Sequence, residues 1–260
     1  MANNAIQLGS GKYGKVSTYS ALDGLTSYTV EGWFYLDSGA TGRQATYMMG
    51  NGTGTDYRSY IEQGETGGIT GVNFGHRYSS TSADGNKLTG LFDTNTWTHI
   101  AMVAVQTAKT KIYKNGTEIT YNIQNTPSGT YSNTNSCDVY HGAWLAGFSK
   151  GNFPGRVGCF RMWNVARSGT ELADNKDYYL DPTEEIGLIL NVNYDEETGT
   201  SSDNDVSGGN DMVFTGSPSW VGGPTLTAKS YGGMTGISVW NGSAFVEKPV
   251  KVWSGSKWVQ

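Results

Sequence analysis

Short apolar runs, separated by clusters of Gly, Asn, Ser and Thr, extend along the whole of this 260-residue chain. This pattern favours strands joined by tight turns and argues against a fold built from long amphipathic helices. The composition agrees, since the chain has 37 Gly, 16 Tyr and 8 Trp but only 16% charged residues. We therefore predict an all-β protein built as a sandwich or a barrel.

Three segments give the strongest strand predictions. In Tyr28–Leu36 the even-numbered residues share one face, which predicts a strand with one side in a core. Trp97–Val105 is almost continuously apolar, as expected for a central strand covered on both sides. Lys111–Ile119 has Asn115-Gly116 at its centre, and this pair tolerates positive φ at both positions of a tight hairpin turn.

A helix is predicted late in the sequence. Ser168 can cap it, and Glu171 can return a bond to the cap, which together form a capping box. The helix should run from about Gly169 to Tyr179 and end before Pro182. Further strands are predicted at residues 5–8, 15–19, 157–163, 186–194 and 211–215.

The sequence pattern changes after Trp220, where Gly222-Gly223-Pro224 is typical of a hinge. Two copies of one pattern follow, ISVWNGSAFV and VKVWSGSKWV, and each predicts a small hairpin with Gly-Ser in the turn. We therefore predict two domains, a sandwich at residues 1–221 and a hinge with tandem hairpins at residues 222–260.

The tandem hairpins are expected to need a partner surface, because hairpins of this size are only marginally stable alone in water. That surface is the sandwich, a second copy of the chain in a homo-oligomer, or another protein. The residues predicted to serve in assembly or docking are the aromatic ones that can pair across the strands: Trp240, Phe245, Trp253 and Trp258.

Charge and hydropathy narrow the classes of partner. With a net charge of −5, the chain has no excess of cations to hold a nucleic acid. No stretch reaches the roughly 18 apolar residues that a membrane span needs, so no membrane insertion is predicted. Residues 1–8 contain neither a basic nor a long apolar segment, so no Sec signal peptide is predicted. Two cysteines, Cys137 and Cys159, favour reduced thiols over a disulfide framework.

Five segments follow one another in an informative order. They are Ala5–Asp37, WTHIAMV (97–103), IYKNGTEI (112–119), GRVGCFRMWNVARSGTEL (155–172), and residues 188–220, which comprise a strand, an acidic Gly-rich loop and a final strand. Together they resemble the laminin-G-like, concanavalin A-like jelly-roll domain of lectins and glucanases. The resemblance implies an all-β, two-sheet antiparallel jelly-roll sandwich with one short helix, to which this chain adds a small C-terminal β-hairpin appendage.

The same resemblance implies a binding function, for carbohydrate or protein, often with calcium as the cofactor. Where the family often has acidic residues, this chain has Ser10-Gly11 and Gly158. The metal candidates are instead Asp203, Asp205 and Asp211, which lie in an oxygen-rich loop. Asx turns explain the composition of that loop, and a bound cation is the alternative.

The repeated Trp-x-Gly-Ser tail resembles short C-terminal repeats in structural proteins of tailed bacteriophages. This resemblance implies a virion component, either a tail appendage or a capsid decoration, with other virion proteins or itself as partners. Its lectin-like domain would then adhere to glycans on the host surface. The alternative is a secreted or surface-bound bacterial carbohydrate-binding module, located outside the cell.

Two glycine motifs do not predict catalysis. Gly9–Lys15 nearly matches a phosphate-binding loop, but a predicted strand follows it, and Val16 replaces the Ser or Thr that binds Mg²⁺. Gly147–Gly151 has the Gly-x-Ser-x-Gly pattern of a hydrolase elbow, but the nearby Pro154 opposes the helix that such an elbow needs.

The acidic residues do not predict catalysis either. Glu185 and Glu196 lie on either side of the predicted strand 186–194, and the strand itself carries Asn191 and Asn193. A glucanase of this fold places its acids alternately on one strand, so that both point into the cleft. We therefore predict that the chain is not an enzyme.

Ligand contacts are expected from loops, because strands of a sandwich mainly form core. Aromatic rings stack on sugars and also seal protein interfaces, and packing within the sandwich is the alternative role for each of them. The ligand-binding candidates are Tyr57, Arg58, Tyr60, His76, Tyr78, Trp144 and Phe153, with Arg77 and Phe148 nearby.

Overall fold

The computed structural model describes residues 4–18, 20–40, 44–51, 57–64, 71–143 and 151–231, and the backbone of four short strands between residues 237 and 259. The chain forms two compact units, Met1–Thr227 and Ala228–Gln260. Within the described residues, no helix has the length and apolar character needed to cross a membrane.

Strands make up most of the larger unit. In chain order its elements are β1 (Asn4–Gln7), β2 (Tyr13–Val16), a 3-10 turn (Ser20–Leu22), β3 (Ser27–Leu36), β4 (Gln44–Gly50), β5 (Tyr57–Gln63), β6 (Val72–His76), β7 (Gly85–Lys87), β8 (Trp97–Val105), β9 (Lys111–Lys114), β10 (Thr117–Glu118), β11 (Ile123–Gln124), β12 (Asp138–His141), β13 (Gly151–Asn152), β14 (Gly155–Trp163), α1 (Gly169–Asn175), β15 (Tyr178–Tyr179), β16 (Leu188–Val192), β17 (Ser201–Ser202), β18 (Met212–Thr215), β19 (Ser219–Gly222) and β20 (Thr227–Ala228).

These strands form two large sheets. The eight-stranded sheet has the order β10-β9-β8-β3-β14-β1-β19, with β16 also paired to β14. The ten-stranded sheet has the order β11-β7-β6-β5-β4-β12-β2-β18-β17, with β13 beside β4. The pairing is antiparallel apart from β13 and β4, which are parallel. The predicted two-sheet antiparallel sandwich with a short helix is thus confirmed.

The core lies between the two sheets. Tyr28, Val30 and Phe34 project into it from the eight-stranded sheet, as the alternation of β3 predicts, and Tyr47 and Phe74 project from the ten-stranded sheet. All five side chains are at most 1% exposed. The two layers therefore bury each other's inner faces, and their outer faces remain for other contacts.

The first hairpin prediction is confirmed in detail. Asn115 and Gly116 join β9 to β10 with φ values of 51° and 82°, so both turn positions have positive φ. A Cβ atom on Gly116 would lie 2.5 Å from the Cβ of Ala173, because helix α1 packs directly on this turn. Position 116 therefore accepts only glycine for two reasons, its positive φ and its contact with the helix.

Strand β2 begins and ends earlier than the predicted range of residues 15–19. It ends at Val16 because the next backbone turns towards Asp138, whose carboxylate accepts bonds from both the backbone N–H and the hydroxyl of Thr18 at 2.9 and 3.0 Å. A side chain has thus replaced a neighbouring strand as the hydrogen-bond partner of Thr18.

Helix α1 has the predicted capping box. The Glu171 N–H donates to Ser168 Oγ at 3.2 Å, and the Ser168 N–H donates to Glu171 Oε2 at 2.7 Å. The predicted end at Tyr179 is wrong, since the helix stops at Asn175. The chain leaves the helix there because Tyr178 and Tyr179 form strand β15, which pairs with β20.

The outer face of the eight-stranded sheet holds a buried ion-pair cluster. Glu31, His99 and Arg161 are each 1% exposed. Glu31 Oε1 lies 3.6 Å from Arg161 Nη1 and accepts a bond from Trp163 Nε1 at 3.0 Å. Glu31 Oε2 lies 3.3 Å from His99 Nε2. Arg161 also donates to Asn191 Oδ1 at 3.2 Å, so β3, β8, β14 and β16 are joined through charged and polar groups.

The glycine motif near the N-terminus forms a tight turn and the start of a strand, and Gly14 packs closely within it. The Lys12 N–H donates to the Gly9 carbonyl at 3.0 Å in a tight turn, and strand β2 follows. A Cβ atom on Gly14 would lie 2.3 Å from His141 Nε2 and 2.7 Å from Met212 Sδ. This glycine is therefore needed for packing between β2 and its neighbours.

Replacing Gly14 with alanine should destabilise the sandwich by about 1–3 kcal/mol, because the methyl group overpacks the core against His141. Urea unfolding followed by tryptophan fluorescence measures the change. Gly222→Ala is the matched control, since Gly222 is also a strand glycine, yet a Cβ there meets nothing within 4 Å. A loss for Gly14→Ala no greater than for the control would contradict this account.

The smaller unit contains two hairpins, described here by their backbone. They consist of β21 (Ile237–Trp240) with β22 (Phe245–Lys248), and β23 (Val252–Trp253) with β24 (Trp258–Val259). Both pairs are antiparallel, which confirms the predicted hairpin appendage.

Candidate functional site

The outer face of the ten-stranded sheet carries one continuous row of side chains across six strands. Direct register partners define it, each residue facing the next on the adjacent strand. We call this set the cross-sheet row, and it consists of Val213, Lys15, Tyr140, Met48, Tyr60 and Gly75. Its members lie on the face opposite the inter-sheet core, because strand residues alternate between faces.

The cross-sheet row is accessible at one end. Met48, Tyr60 and Tyr140 are 0%, 8% and 4% exposed, whereas Val213 is 53% exposed and the Lys15 side chain 35%. Tyr13 precedes Lys15 by two residues on β2, so it projects from the same face, and it is partly exposed. We call Tyr13, Lys15, Asp138, Tyr140 and Val213 the open end of the row.

Hydrogen bonds and ring contacts fix the geometry of the open end. The rings of Tyr13 and Tyr140 have centroids 6.1 Å apart and are tilted by 44°. Lys15 Nζ lies 5.7 Å from the centroid of Tyr140 and 2.9 Å from Asp138 Oδ2. The Tyr140 hydroxyl donates to the same carboxylate oxygen at 3.2 Å. Rings, an ammonium, a carboxylate and a hydroxyl thus meet on one small surface.

The protonation states of the open end favour hydrogen bonding over proton transfer. Burial would raise the pKa of Asp138, but its bonds with Lys15 and Thr18 lower that pKa below the usual value. Burial and the neighbouring Asp138 raise the pKa of Tyr140 well above its ordinary value, so the phenol keeps its proton. At neutral pH the ionised Asp138 therefore holds Lys15 and Tyr140 in place, and the Lys15 ammonium keeps donors for a ligand.

A second polar group lies at the closed end of the row. Gly75 leaves room for Asp84, since a Cβ on Gly75 would lie 2.2 Å from Asp84 Oδ1. Burial raises the pKa of this carboxyl, against opposing effects of a bond from Tyr60 and the charge of Arg77. Tyr60 is as buried as Asp138 and Tyr140, and the open end differs from this group by the exposed Lys15 and Val213.

Of the predicted ligand-binding residues, Tyr60 lies on this outer face. Arg58 lies at a bulge between β4 and β5, where the strand register shifts. Tyr57 begins β5, but its side chain lies outside the described part of the chain, as do Trp144 and Phe148. Those three residues remain predictions.

Three predicted ligand residues lie inside the sandwich. His76, Tyr78 and Phe153 are 1%, 7% and 0% exposed. Phe153 packs between Phe34 and Phe92 with centroid distances of 5.9 and 6.2 Å. In the described conformation these side chains serve packing, which was the alternative role at the sequence level.

His76 is held in one tautomer by its neighbours. Nε2 lies 2.8 Å from the Ser132 carbonyl and Nδ1 lies 2.7 Å from the Tyr28 hydroxyl. Because a carbonyl only accepts, Nε2 carries the proton and Nδ1 accepts from the phenol. The ring stacks on Tyr131 at 4.1 Å, and burial lowers the pKa of His76 to about 4.

The predicted metal residues do not fit a calcium site. Asp205 Oδ2 accepts bonds from the amides of Asn191 and Asn193 at 3.0 and 2.6 Å, and Asp211 Oδ1 accepts the Asn204 N–H at 3.2 Å. Among the residues that the structure describes, no three His, Cys, Asp or Glu side chains could hold a metal ion together.

The position at which the family often has an acid has no room for one in this chain. A Cβ on Gly158 would lie 2.7 Å from Pro224 Cδ. The two cysteines are buried and are not joined in a disulfide: Cys137 lies in the inter-sheet core, and Cys159 lies with Tyr179 and Leu226 on the outer side.

The predicted docking residues stand on paired strands. Trp240 is opposite Phe245, and Trp253 is opposite Trp258, so each hairpin brings two aromatic residues to one register position. The described backbone does not test their role in assembly, which stays a prediction.

Sequence analysis missed four residues of the open end: Tyr13, Lys15, Asp138 and Tyr140. A signal existed, since each strand carries its two residues at a spacing of two. Tyr13 lies before the predicted strand at residues 15–19, because the glycines on either side of it concealed the start of β2. The contacts between β2 and β12 join residues more than 120 positions apart, and sequence periodicity carries no such information.

Comparison with known proteins agrees with the sandwich. The sequence profile of the concanavalin A-like lectin/glucanases superfamily, in its Laminin_G_3 form, matches residues 8–173. A candidate carbohydrate-binding protein from Bacteroides ovatus superposes with a TM-score of 0.63 at 21% identity, over 87% of this chain and 62% of that one. The ligand-binding domain of botulinum neurotoxin serotype D, solved with N-acetylneuraminic acid, superposes with a TM-score of 0.50 at 10% identity, over 66% of this chain and 41% of that one.

At these identities the two structures show a shared fold and no more. This chain spans less than two thirds of the length of either protein. A search of curated protein sequences finds no match. The profile covers most of the sandwich unit, and the two antiparallel sheets agree with it. This chain belongs to the concanavalin A-like lectin/glucanase superfamily.

Proposed function

We propose that this protein is a non-enzymatic carbohydrate-binding protein and that the open end of the cross-sheet row contacts the glycan. The observation that carries the proposal is the convergence of Tyr13, Lys15, Asp138 and Tyr140 on one outer face. Aromatic rings cover the apolar C–H faces of a sugar ring, and fixed polar groups bind its hydroxyls.

The chemistry of the open end supports binding over hydrolysis. A glycosidase needs one carboxyl group with a raised pKa to protonate the leaving oxygen. Asp138 instead has a lowered pKa and is engaged by Lys15 and Thr18. Such a carboxylate cannot act as the general acid, and it holds Lys15 in place, whose ammonium keeps donors for a sugar hydroxyl.

Tyr13→Ala should weaken glycan binding about tenfold or more, because it removes the exposed aromatic surface of the open end. A glycan array identifies the best neutral oligosaccharide, and isothermal titration calorimetry then compares the variants. Tyr178→Ala is the control, since Tyr178 is 37% exposed on a different part of the sandwich. Equal affinities for the two variants would contradict the placement of the site. Absence of binding to every glycan would contradict the function itself.

We also propose that the sandwich is displayed on a bacteriophage particle, with the tandem hairpins providing attachment to a virion protein or to a second copy. The supporting observation is the repeated hairpin with its paired aromatic positions. Deleting residues 229–260, which begin after β20, should abolish incorporation into particles and leave the sandwich folded. A protein found instead in the culture medium or on a bacterial surface, and absent from particles, would favour the secreted lectin.

A further inference from the structure

A cleft of about 390 Å³ lies beside the β9–β10 hairpin, at the edge of the eight-stranded sheet. It also includes Lys87 from β7 of the ten-stranded sheet, but it shares no lining residue with the cross-sheet row. A volume of this size falls in the range of small-molecule sites. The lining residues that matter for recognition are Lys87, Lys114, Thr117, Glu118, Ile119 and Thr120.

The wall formed by the hairpin is held in place. Helix α1 packs on Gly116 at the turn, and Asn115 Oδ1 accepts the His99 N–H at 3.0 Å. Lys114 Nζ donates to the Gly90 carbonyl at 3.0 Å and lies 2.9 Å from Asp93 Oδ2. The Lys114 side chain is only 23% exposed, so its ammonium is fixed at the cleft before any ligand arrives.

The ammonium groups of the cleft have donors to spare, whereas its carboxylate is engaged. An ammonium has three donors. Within the described part of the chain, Lys87 donates to the Thr120 carbonyl at 3.3 Å, and Lys114 makes the two contacts above. Glu118 Oε2 pairs with Lys111 at 3.0 Å, and Glu118 Oε1 accepts from the Tyr121 hydroxyl at 3.0 Å. A ligand therefore meets two ammonium groups, one of them paired with Asp93, and a carboxylate that is paired with Lys111.

The remaining lining distinguishes between kinds of anion. Thr117 and Thr120 offer hydroxyl groups, and Ile119 offers an aliphatic surface. This combination suits a polar ring with one apolar face and one negative charge. The net charge of −5 on the whole chain opposes the approach of polyanions such as nucleic acids or highly sulfated chains.

We propose that this cleft is a second glycan site, which takes the carboxylate-bearing ring of a uronic acid. The carboxylate binds between Lys87 and Lys114, and the ring lies against Ile119. The cleft would thereby select acidic sugars, whereas the open end binds neutral ones.

NMR titration of the ¹⁵N-labelled full chain tests this site with two probes that share one ring. Methyl β-glucuronide has a carboxylate where methyl β-glucoside has a hydroxymethyl group. We expect the glucuronide to shift the amides of residues 87–90 and 114–120, and the glucoside to leave them in place at the same concentration. Equal shifts with both probes, or glucuronide shifts confined to other residues, would overturn the proposal.

A pair of charge-matched variants tests the role of the lysine. Lys87→Met should weaken glucuronide binding at least fivefold. Lys109→Met removes the same charge from an exposed lysine outside the cleft and should have no effect. If both variants weaken glucuronide binding equally, the loss reflects the net charge of the protein, and the proposed site is overturned. Tyr13→Ala should not change the glucuronide titration at the cleft, so the two glycan sites succeed or fail separately.

Discussion

Glu31→Ala should destabilise the sandwich by about 3–5 kcal/mol, the cost expected when a buried ion pair loses one partner. The variant leaves the Arg161 guanidinium, which is 1% exposed, without its counter-ion, and it removes the acceptor of Trp163. Water cannot hydrate that guanidinium unless α1 moves away from the sheet. Urea denaturation at pH 7 gives the free energy of unfolding for comparison with the unsubstituted protein.

Glu118→Ala is the control for this loss. It also removes one carboxylate from an ion pair, but the side chains of Lys111 and Glu118 are 49% and 36% exposed. An exposed pair of this kind contributes less than about 1 kcal/mol. If the two variants lose similar free energies, the buried cluster does not have the structural role assigned to it.

Acid should destabilise the protein between about pH 6.5 and pH 4, and two buried histidines should be the main cause. Burial lowers the pKa of His76 to about 4 and that of His141 to about 3, from 6.5 in the unfolded chain. The unfolded state therefore binds protons first as the pH falls. Stability from these groups is complete above pH 6.5 and declines until the folded pKa values are reached.

The size of the acid effect follows from proton linkage. Each histidine contributes at most about 1.4 kcal/mol per pH unit, so the pair should remove roughly 2–2.5 kcal/mol between pH 6 and pH 5. Asp205 offsets part of this loss, because burial raises its pKa to about 6 and the folded state then binds its proton first. Urea unfolding at half-unit pH intervals measures the slope. His141→Phe should remove the contribution of one histidine, because it replaces a titrating ring with an aromatic ring that does not ionise. An unchanged slope would exclude His141 as a source.

Glu31 adds to acid sensitivity only at lower pH. Burial opposes its ionisation, but His99, Arg161 and Trp163 lower its pKa from 4.5 to about 2. A lowered pKa gives stability that is complete above the unfolded value and is lost as the pH falls through the folded value. The contribution of Glu31 should therefore decline only below about pH 4.5, after most of the histidine effect.

Local patterns in the sequence predicted much of the sandwich. The alternation in Tyr28–Leu36 placed the core face of β3, and Asn115-Gly116 gave the hairpin turn. These features depend on neighbouring residues, whose conformational preferences are local. The helix start was predicted for the same reason, because Ser168 and Glu171 form their bonds within one turn.

The errors arose where distant segments decide the local structure. Strand β2 ends early because of Asp138, and helix α1 ends early because β15 pairs with β20. Asn191 and Asn193 alternate with apolar residues as in a half-exposed strand, yet they are 0% and 7% exposed. They bind Arg161 and Asp205, which no window of sequence around them contains.

The proposed site was less predictable from the sequence than the fold. Aromatic residues in loops were expected to contact the ligand, and two of them, His76 and Phe153, are buried in the described conformation. The open end is formed by strand residues that become neighbours only through the pairing of β2 with β12. An aromatic residue on the outer face looks the same in the sequence as one on the inner face. Only the strand pairing shows which of them are exposed.

The first and last strands of the sandwich are neighbours. β1 pairs with β19 over four register positions, with Asn4 opposite Gly222. A chain that enters the fold at β1 therefore leaves it about 5 Å away, on the adjacent strand. A host protein could accept such a cassette within a single surface loop, with little widening of that loop. Joining the two ends and opening an exposed turn elsewhere should give a circular permutant that keeps the strand order of both sheets.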